Sequence, residues 1–440
     1  STKKNCLWVS KLYRRIFLIT LGTKRVLILR KVLNSSLVQN IMALSFVQVV
    51  NYVLPFLLIP YFLKTLGADG WGKIVYIQLI LQYFVVIVTY GFQWSAVNKI
   101  SPIRDNIDEV NKLFSSYFVA QCILIIFCLL ILGFGFLISN QVAINFKLIL
   151  IGFLGVIGAV VFPVWLMQAL EQLKFMALTQ LIVQLFCFVC IFLFVKDISD
   201  LNYALFFQSI NNLIVGGVCF IFLYNKGYKI IKINFVDLKL AYKDGFTLFI
   251  SQIWISLYTN TIPVILGLLS NNTAVATYSV ADRVQKAVRF LLNPISRAIF
   301  PRISFLQITD LKKADRLLHL SILFTFLITI LGGILLLIFS DKIIRFLNAE
   351  TLPDIYSVIY ILAIMPVLVG MSSVIAIQAL IPKGYSSALN KIWFSACLMV
   401  LILSIPVIVK YGVVGATVLA VLVEACILIL MLTVLMRGKK

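Results

Sequence analysis

Histidine is almost missing from this chain: His319 is the only one among 440 residues. Acids are scarce as well, with 16 Asp and Glu against 38 Lys and Arg, and all charged residues together make up 12%. The sequence holds no paired catalytic carboxylates, no glycine-rich phosphate loop and no nucleotide-binding pattern. It therefore carries no enzyme signature, and nothing in it points to ATP-driven work. His319 stands beside Arg316 at a helix end and reads as a surface residue rather than a catalyst. The eight cysteines are scattered through apolar segments. Cys187 and Cys190 form a C-x-x-C in the middle of such a run and read as small hydrophobes, so neither a metal site nor a disulfide framework is expected. No cleavable signal-peptide pattern is found.

What the chain has in abundance is apolar surface: 62% hydrophobic residues and a mean hydropathy of +1.06. A soluble domain of this size cannot hide so much, and long apolar stretches with few charges define a polytopic all-α membrane protein. A transmembrane barrel would alternate in hydrophobicity, and these segments do not. The net charge of +22 invites a nucleic-acid reading. Positive-inside topology explains it better, and no nucleic-acid partner is expected.

Spans of bilayer length are expected at 37–60, 74–97, 113–138, 146–170, 175–195, 201–224, 244–269, 274–301, 317–339, 354–380, 389–409 and 411–436. Pro55, Pro60, Pro163, Pro263, Pro294, Pro366 and Pro406 lie in or at the edges of these spans, so kinked or broken helices are expected. With both termini cytoplasmic, 27 Lys and Arg fall on the inside and 7 on the outside, the remaining four lying within 274–301. If 274–301 merely lay on the surface, the cations after it would face outward, so it is kept as a span.

The spans repeat after about 200–214 residues, and Gln48 in SFVQVVNY corresponds to Gln252 in ISQIWISLY. Two halves of six spans in the same orientation are expected, with a cavity between them. The organisation is then a basic cytoplasmic segment (1–36), a first six-helix bundle (37–224), a basic cytoplasmic linker (225–243) that rests on anionic membrane lipids, and a second six-helix bundle (244–440). Residues 1–33 carry nine cations and no acid. A basic interfacial helix is one reading of them and a difference in start site is another.

Segment 274–302 carries the strongest functional signal. Asp282, Arg283, Lys286, Arg289 and Arg297 fall within roughly a 120° stripe at about 100° per residue, with Ser279 and Asn293 inside it. A cation at mid-depth costs about 2.5–3.5 kcal/mol even on the lenient insertion scale. Such a stripe fits a wet cavity that handles an anion. The competing reading is an internal salt-bridge cluster of Asp282 with Lys286, or with Arg283 and Arg289, which accounts for one cation only. Gln252, Ser256, Thr259 and Asn260 on the seventh span, and Gln48, Asn51 and Tyr52 on the first, could complete the cavity. Glu424 lies mid-span in the twelfth, either as partner of a cation or as a proton or sodium site. Trp165 and Trp254 read as packing residues that could also stack on sugar rings.

Residues 66–116 contain Leu66-Gly67 and the Gly70-x-Gly72 pair, then Tyr90-Gly91-Phe92, Ser95-Ala96 and the Arg104-Asp105 pair. The second half contains GFTLFISQIWISLYTNTIPVILGLLSNNTAVATYSVADRV, NPISRAIFPRIS with Asn293, Pro294, Phe300 and Pro301, and YGVVGATVLAVLVEACIL over 411–428. In order and spacing this resembles the O-antigen flippases, in the polysaccharide branch of the multidrug/oligosaccharidyl-lipid/polysaccharide exporter superfamily. The likeness covers 34–440, so residues 1–33 depart from it. Thr89 stands where relatives often have an acid.

The resemblance implies a two-bundle fold like that of multidrug and toxic compound extrusion (MATE) transporters, with a central cationic cavity. It implies an undecaprenyl-diphosphate-linked oligosaccharide as substrate, moved across a bacterial inner membrane, with an O-antigen polymerase and a chain-length regulator as partners. Arg283, Lys286, Arg289, Arg297, Asn293, Gln252 and Asn260 are the expected substrate contacts. Asp282 and Glu424 are the candidates for coupling to H+ or Na+, and no other cofactor or metal is expected. Three alternatives stand beside this reading. An ion-coupled drug antiporter on the same fold is disfavoured by the stripe's excess of cations. A lipid II flippase usually has more spans. An O-antigen polymerase or ligase needs a large outer loop, and the longest here is about 340–353.

Overall fold

The structure, a computed structural model, describes residues 53–138, 140–290, 299, 303, 306 and 310–437. The basic segment 1–36, most of the first expected span with Gln48, Asn51 and Tyr52, and two expected site residues, Asn293 and Arg297, lie outside the described residues.

Every regular element among the described residues is helical. The order is α1 (Val53–Thr65), α2 (Gly67–Thr89), α3 (Phe92–Ile100), α4 (Ile107–Ile138), α5 (Asn140–Val161), α6 (Val164–Ala169), α7 (Leu173–Phe194), α8 (Leu201–Asn225), α9 (Phe235–Leu269) and α10 (Asn272–Phe290). It continues with α11 (Leu311–Ile338), α12 (Ser340–Phe346), α13 (Ile355–Leu362), α14 (Met365–Val374) and α15 (Ser386–Arg437). Nine helices among the described residues are long and apolar enough to cross a membrane. One of these is α15, which Gly412 (φ 55°, ψ −138°) divides into two segments at the boundary expected between 389–409 and 411–436. α1 is shorter, and α10 carries the charged stripe.

The breaks have local causes. Pro163 separates α5 from α6, because a proline ring and its missing N–H disrupt a continuous helix. Tyr90 (φ 45°) and Gly91 (φ 71°) turn the chain between α2 and α3. The expected linker 225–243 is largely helical: Asn234 caps α9 in a reciprocal box with Asp237, so α9 starts at Phe235 and the connection is short. The extra turns carry Asp237 and Asp244 to Lys112 (2.9 Å) and Lys99, joining α9 to α4 and α3.

Residues before 226 and after 234 meet chiefly on α2, which packs against α5, α9 and α10, and also where α9 packs on α3 and α4. On α2 the meeting is close at both ends. A Cβ on Gly72 would lie 1.8 Å from the Asn272 carbonyl oxygen, and one on Gly91, just past the other end, would lie 2.7 Å from Leu248 Cβ. Only glycine permits these approaches, and Gly91 also needs the left-handed backbone. The rest of α2 buries Trp71, Ile74, Ile77, Leu81 and Val88. The outward faces of α4, α7 and α11 instead expose residues such as Leu130, Ile182 and Leu331, as lipid-facing surfaces do.

Candidate functional site

The geometry follows from how α10 is seated. Asn271 Oδ1 accepts the Ala274 amide at 2.8 Å and caps its start. Val275, Ala276, Val280, Ala281 and Val284 are buried, and the helix packs on α2 and α13. With that rotation set, the charged stripe divides. Arg283 lies on one edge, about 60° from Lys286 and about 120° from Arg289. It leans toward α2, its guanidinium 4.7 Å from the centre of the Trp71 ring, within cation–π range.

Lys286 turns the other way and pairs with Asp282 at 2.5 Å, and Asp282 also accepts from Gln285 Nε2 at 2.7 Å. The internal pair weighed from the sequence is therefore present and accounts for one of the four cations. Arg289 lies beyond it, with a buried Nε that meets no acceptor among the described residues. Glu424, from the last segment of α15, is buried and lies in the field of Arg289, Asp282 and Lys286. Tyr258 and Tyr278 sit in the same electrostatic neighbourhood. Of the remaining expected residues, Gln252 is exposed, and Asn260 donates to Ser256 Oγ within its own helix at 3.1 Å.

Arg283 alone of this set lines a cavity of about 400 Å³. The other walls come from residues before 226. They are Leu54, Pro55 and Leu58 of α1, Gln78 of α2, Gln180, Gln184, Cys187, Phe188 and Ile191 of α7, and Phe207, Gln208, Asn211 and Asn212 of α8. Gln78 Nε2 donates to Gln208 Oε1 at 3.0 Å, and Gln208 Nε2 donates to the Ala204 carbonyl at 3.0 Å, so this corner is held. Gln184 Oε1 is buried and accepts from no group among the described residues.

Arg283 stands about 16 Å along the axis from Asn272 and Gln78 about 16 Å from Gly67. Gln184 and Asn211 stand a comparable distance into α7 and α8, so these polar walls lie well inside their helices rather than at the ends. These amides went unrecognised in the sequence, although a signal exists. Gln180 and Gln184 are four apart, and Gln208, Asn211 and Asn212 are three and four apart, which places each set on one face of an otherwise apolar helix.

At the ends of the helices, Arg104 of the Arg104-Asp105 motif pairs with Glu171, which follows α6. Trp165 is buried against Phe114 and Tyr117, and the half-buried Trp254 meets the exposed Phe394 edge to face, which are packing contacts. His319 Nδ1 donates locally to the Asp315 carbonyl, 2.6 Å away, within its own helix.

Comparison with known proteins agrees with this architecture. A model of the family described as "Polysaccharide biosynthesis protein" matches residues 37–307. A protein of Escherichia coli (strain K12) described as "Putative O-antigen transporter" is 29% identical over 405 residues, covering 92% of this chain and 98% of that protein. One of the same description from Shigella dysenteriae is 25% identical over 401 residues, covering 90% and 98%. Among solved structures, the lipid II flippase MurJ in an inward closed conformation superposes with a TM-score of 0.68 at 17% identity, over 90% of this chain and 87% of that one. An inward-facing multidrug resistance MATE family transporter of the MOP superfamily gives 0.69 at 11% identity, over 90% and 97%. At such identities the structures bear on the fold, and the fold is MATE-like, as expected.

Proposed function

Because this chain belongs to the polysaccharide biosynthesis protein family, we propose that it flips an undecaprenyl-diphosphate-linked O-antigen oligosaccharide from the cytoplasmic to the periplasmic leaflet of a bacterial inner membrane. The protein is a polytopic membrane transporter and not an enzyme. Its two full-length relatives described as O-antigen transporters support the choice of substrate. Both termini are cytoplasmic in this reading, which rests on the 27-to-7 cation asymmetry.

The observation that carries the proposal is the polar cavity that shares Arg283 with the charged helix α10. A sugar diphosphate cannot shed its water into hydrocarbon without a large penalty, because each buried polar group and charge then lacks a partner. Amides and a guanidinium in the cavity replace that water. The polyprenyl tail stays in lipid. Alternating access follows if the residues before 226 rock against those after 234, with α2 as the contact that breaks at one end at a time. Lys286 and Arg289, in the separate cluster with Asp282 and Glu424, and Arg297 and Asn293, outside the described residues, are further substrate contacts in this reading. Gln252 and Asn260 on α9 are further polar contacts for the substrate in this reading.

Coupling belongs to the same proposal. Glu424 and Asp282 are acids among the cations of α10, and protonation or sodium binding there would change the local charge as the helices move. A polymerase and a chain-length regulator act on the delivered unit at the far side.

The test is complementation of a strain lacking its own O-antigen transporter, read as surface polysaccharide. Arg283→Ala and Lys286→Ala are expected to cut display at least tenfold with normal membrane insertion, and Arg283→Lys less, because an ammonium keeps the charge over Trp71. Parent-level display by both alanine variants would overturn the reading of these cations as substrate contacts.

A further inference from the structure

Resting on the flippase reading, we propose that the amide-lined cavity is a saccharide subsite, separate from the groups that meet the diphosphate. The lining has the chemistry of a hydroxyl reader rather than an anion trap. Gln78, Gln180, Gln184, Gln208, Asn211 and Asn212 all border it. A primary amide presents donors and an acceptor together, and so does a sugar hydroxyl or acetamido group. A phosphate offers acceptors only, and would meet amide carbonyl oxygens as repulsive neighbours. Arg283, on one wall, is the single charged residue of the lining among the described residues, so the diphosphate end of the substrate belongs there and the sugars belong among the amides.

Four further features fit the assignment. The Gln78–Gln208–Ala204 chain of hydrogen bonds holds two of the amides before any ligand arrives, which lowers the ordering cost of binding. Gln184 Oε1, buried and without a donor among the described residues, is an acceptor that a sugar hydroxyl satisfies. Phe188 of α7 and Phe207 of α8 also line the cavity and supply apolar surface for the C–H side of a pyranose. The volume of about 400 Å³ lies in the range of pockets that enclose small ligands and suits a mono- or disaccharide portion. The consequence is a division of labour. The glycan is read by α2, α7 and α8, and the charge by α10.

The experiment uses the full chain purified in detergent, with ligand binding followed by native mass spectrometry. The probes are bare undecaprenyl diphosphate and undecaprenyl diphosphate carrying one N-acetylglucosamine. The parent should bind the sugar-bearing lipid at least tenfold more tightly. Gln184→Met and Asn211→Leu keep side-chain size and remove hydrogen bonding. Each should lose roughly tenfold of that preference, the equivalent of one hydrogen bond, and leave binding of the bare lipid unchanged. Retained binding of the bare lipid also reports a folded protein. If the variants keep the full preference, or lose both lipids together, the saccharide subsite is refuted while the transport reading stands. If the parent prefers neither lipid but binds both, the subsite is again refuted. If the parent binds neither, the flippase reading itself fails.

Discussion

Gly72→Ala is the smallest change that tests how the two parts of the chain are joined. The new methyl group would stand 1.8 Å from the Asn272 carbonyl oxygen, 2.5 Å from its carbon and 3.2 Å from its Cα. Ordinary contact begins near 3.4 Å, so α2 and the start of α10 must part by about 1.6 Å. The obstructing atoms are backbone, and no side-chain rotation relieves them. Overpacking of this kind costs about 1–3 kcal/mol. The Asn272 Nδ2 to Asp69 Oδ1 hydrogen bond, 3.0 Å long, is stretched by the same movement. A penalty of about 2 kcal/mol lowers the population of the state holding this contact roughly thirtyfold. Two assays read it. Thermal melting of the purified protein should fall, and crosslinking of an Asp69→Cys/Asn272→Cys pair in native membranes should drop when Gly72→Ala is added. Gly133→Ala is the control, because nothing lies within 4 Å of a Cβ there and alanine is the better helix former by about 1 kcal/mol. Parent-like melting and crosslinking in Gly72→Ala would refute the close approach.

Glu424→Gln keeps the shape of the side chain and removes its charge, and it is expected to abolish the response of vesicle transport to imposed proton or sodium gradients. A variant with the parent's full response takes Glu424 out of the coupling. At the turn before α8, hydrogen bonds from the Ser199 hydroxyl and amide hold the Asp197 carboxyl below its ordinary range. A depressed pKa in the fold means that this contribution is present above the unfolded value and lost as pH falls through the folded one. The melting difference between parent and Asp197→Asn should therefore be full at neutral pH, begin to shrink as pH falls through the ordinary carboxylate range, and vanish only in stronger acid. A difference that vanishes already near pH 6 contradicts the assignment.

The amino-acid sequence by itself determined the class of protein and the places where helices lie. Runs such as 113–138 can satisfy their backbone only as helices in a bilayer, and α4 (Ile107–Ile138) follows. It also marked α10, because charges three and four apart stand out against an apolar background. The Asp282–Lys286 pair was legible for the same local reason, being one helical turn apart. Helical spacing also put Gln180 with Gln184 and Gln208 with Asn212, although that signal is weak when uncharged amides sit among many apolar residues. What only the tertiary structure decided was which stripes face one another. The rotation of α10 is set by burial of Val275, Ala276, Val280 and Val284, and a rotation of a few tens of degrees would have kept Arg283 with Arg289. Instead Arg283 crosses to Trp71 and the amides of α2, α7 and α8, more than 200 residues away from Gln78 along the chain. Local sequence carries helical phase, but the meeting of two phases depends on packing between distant segments. That packing turned a single charged stripe into an arginine at a polar cavity and a separate cluster around Glu424.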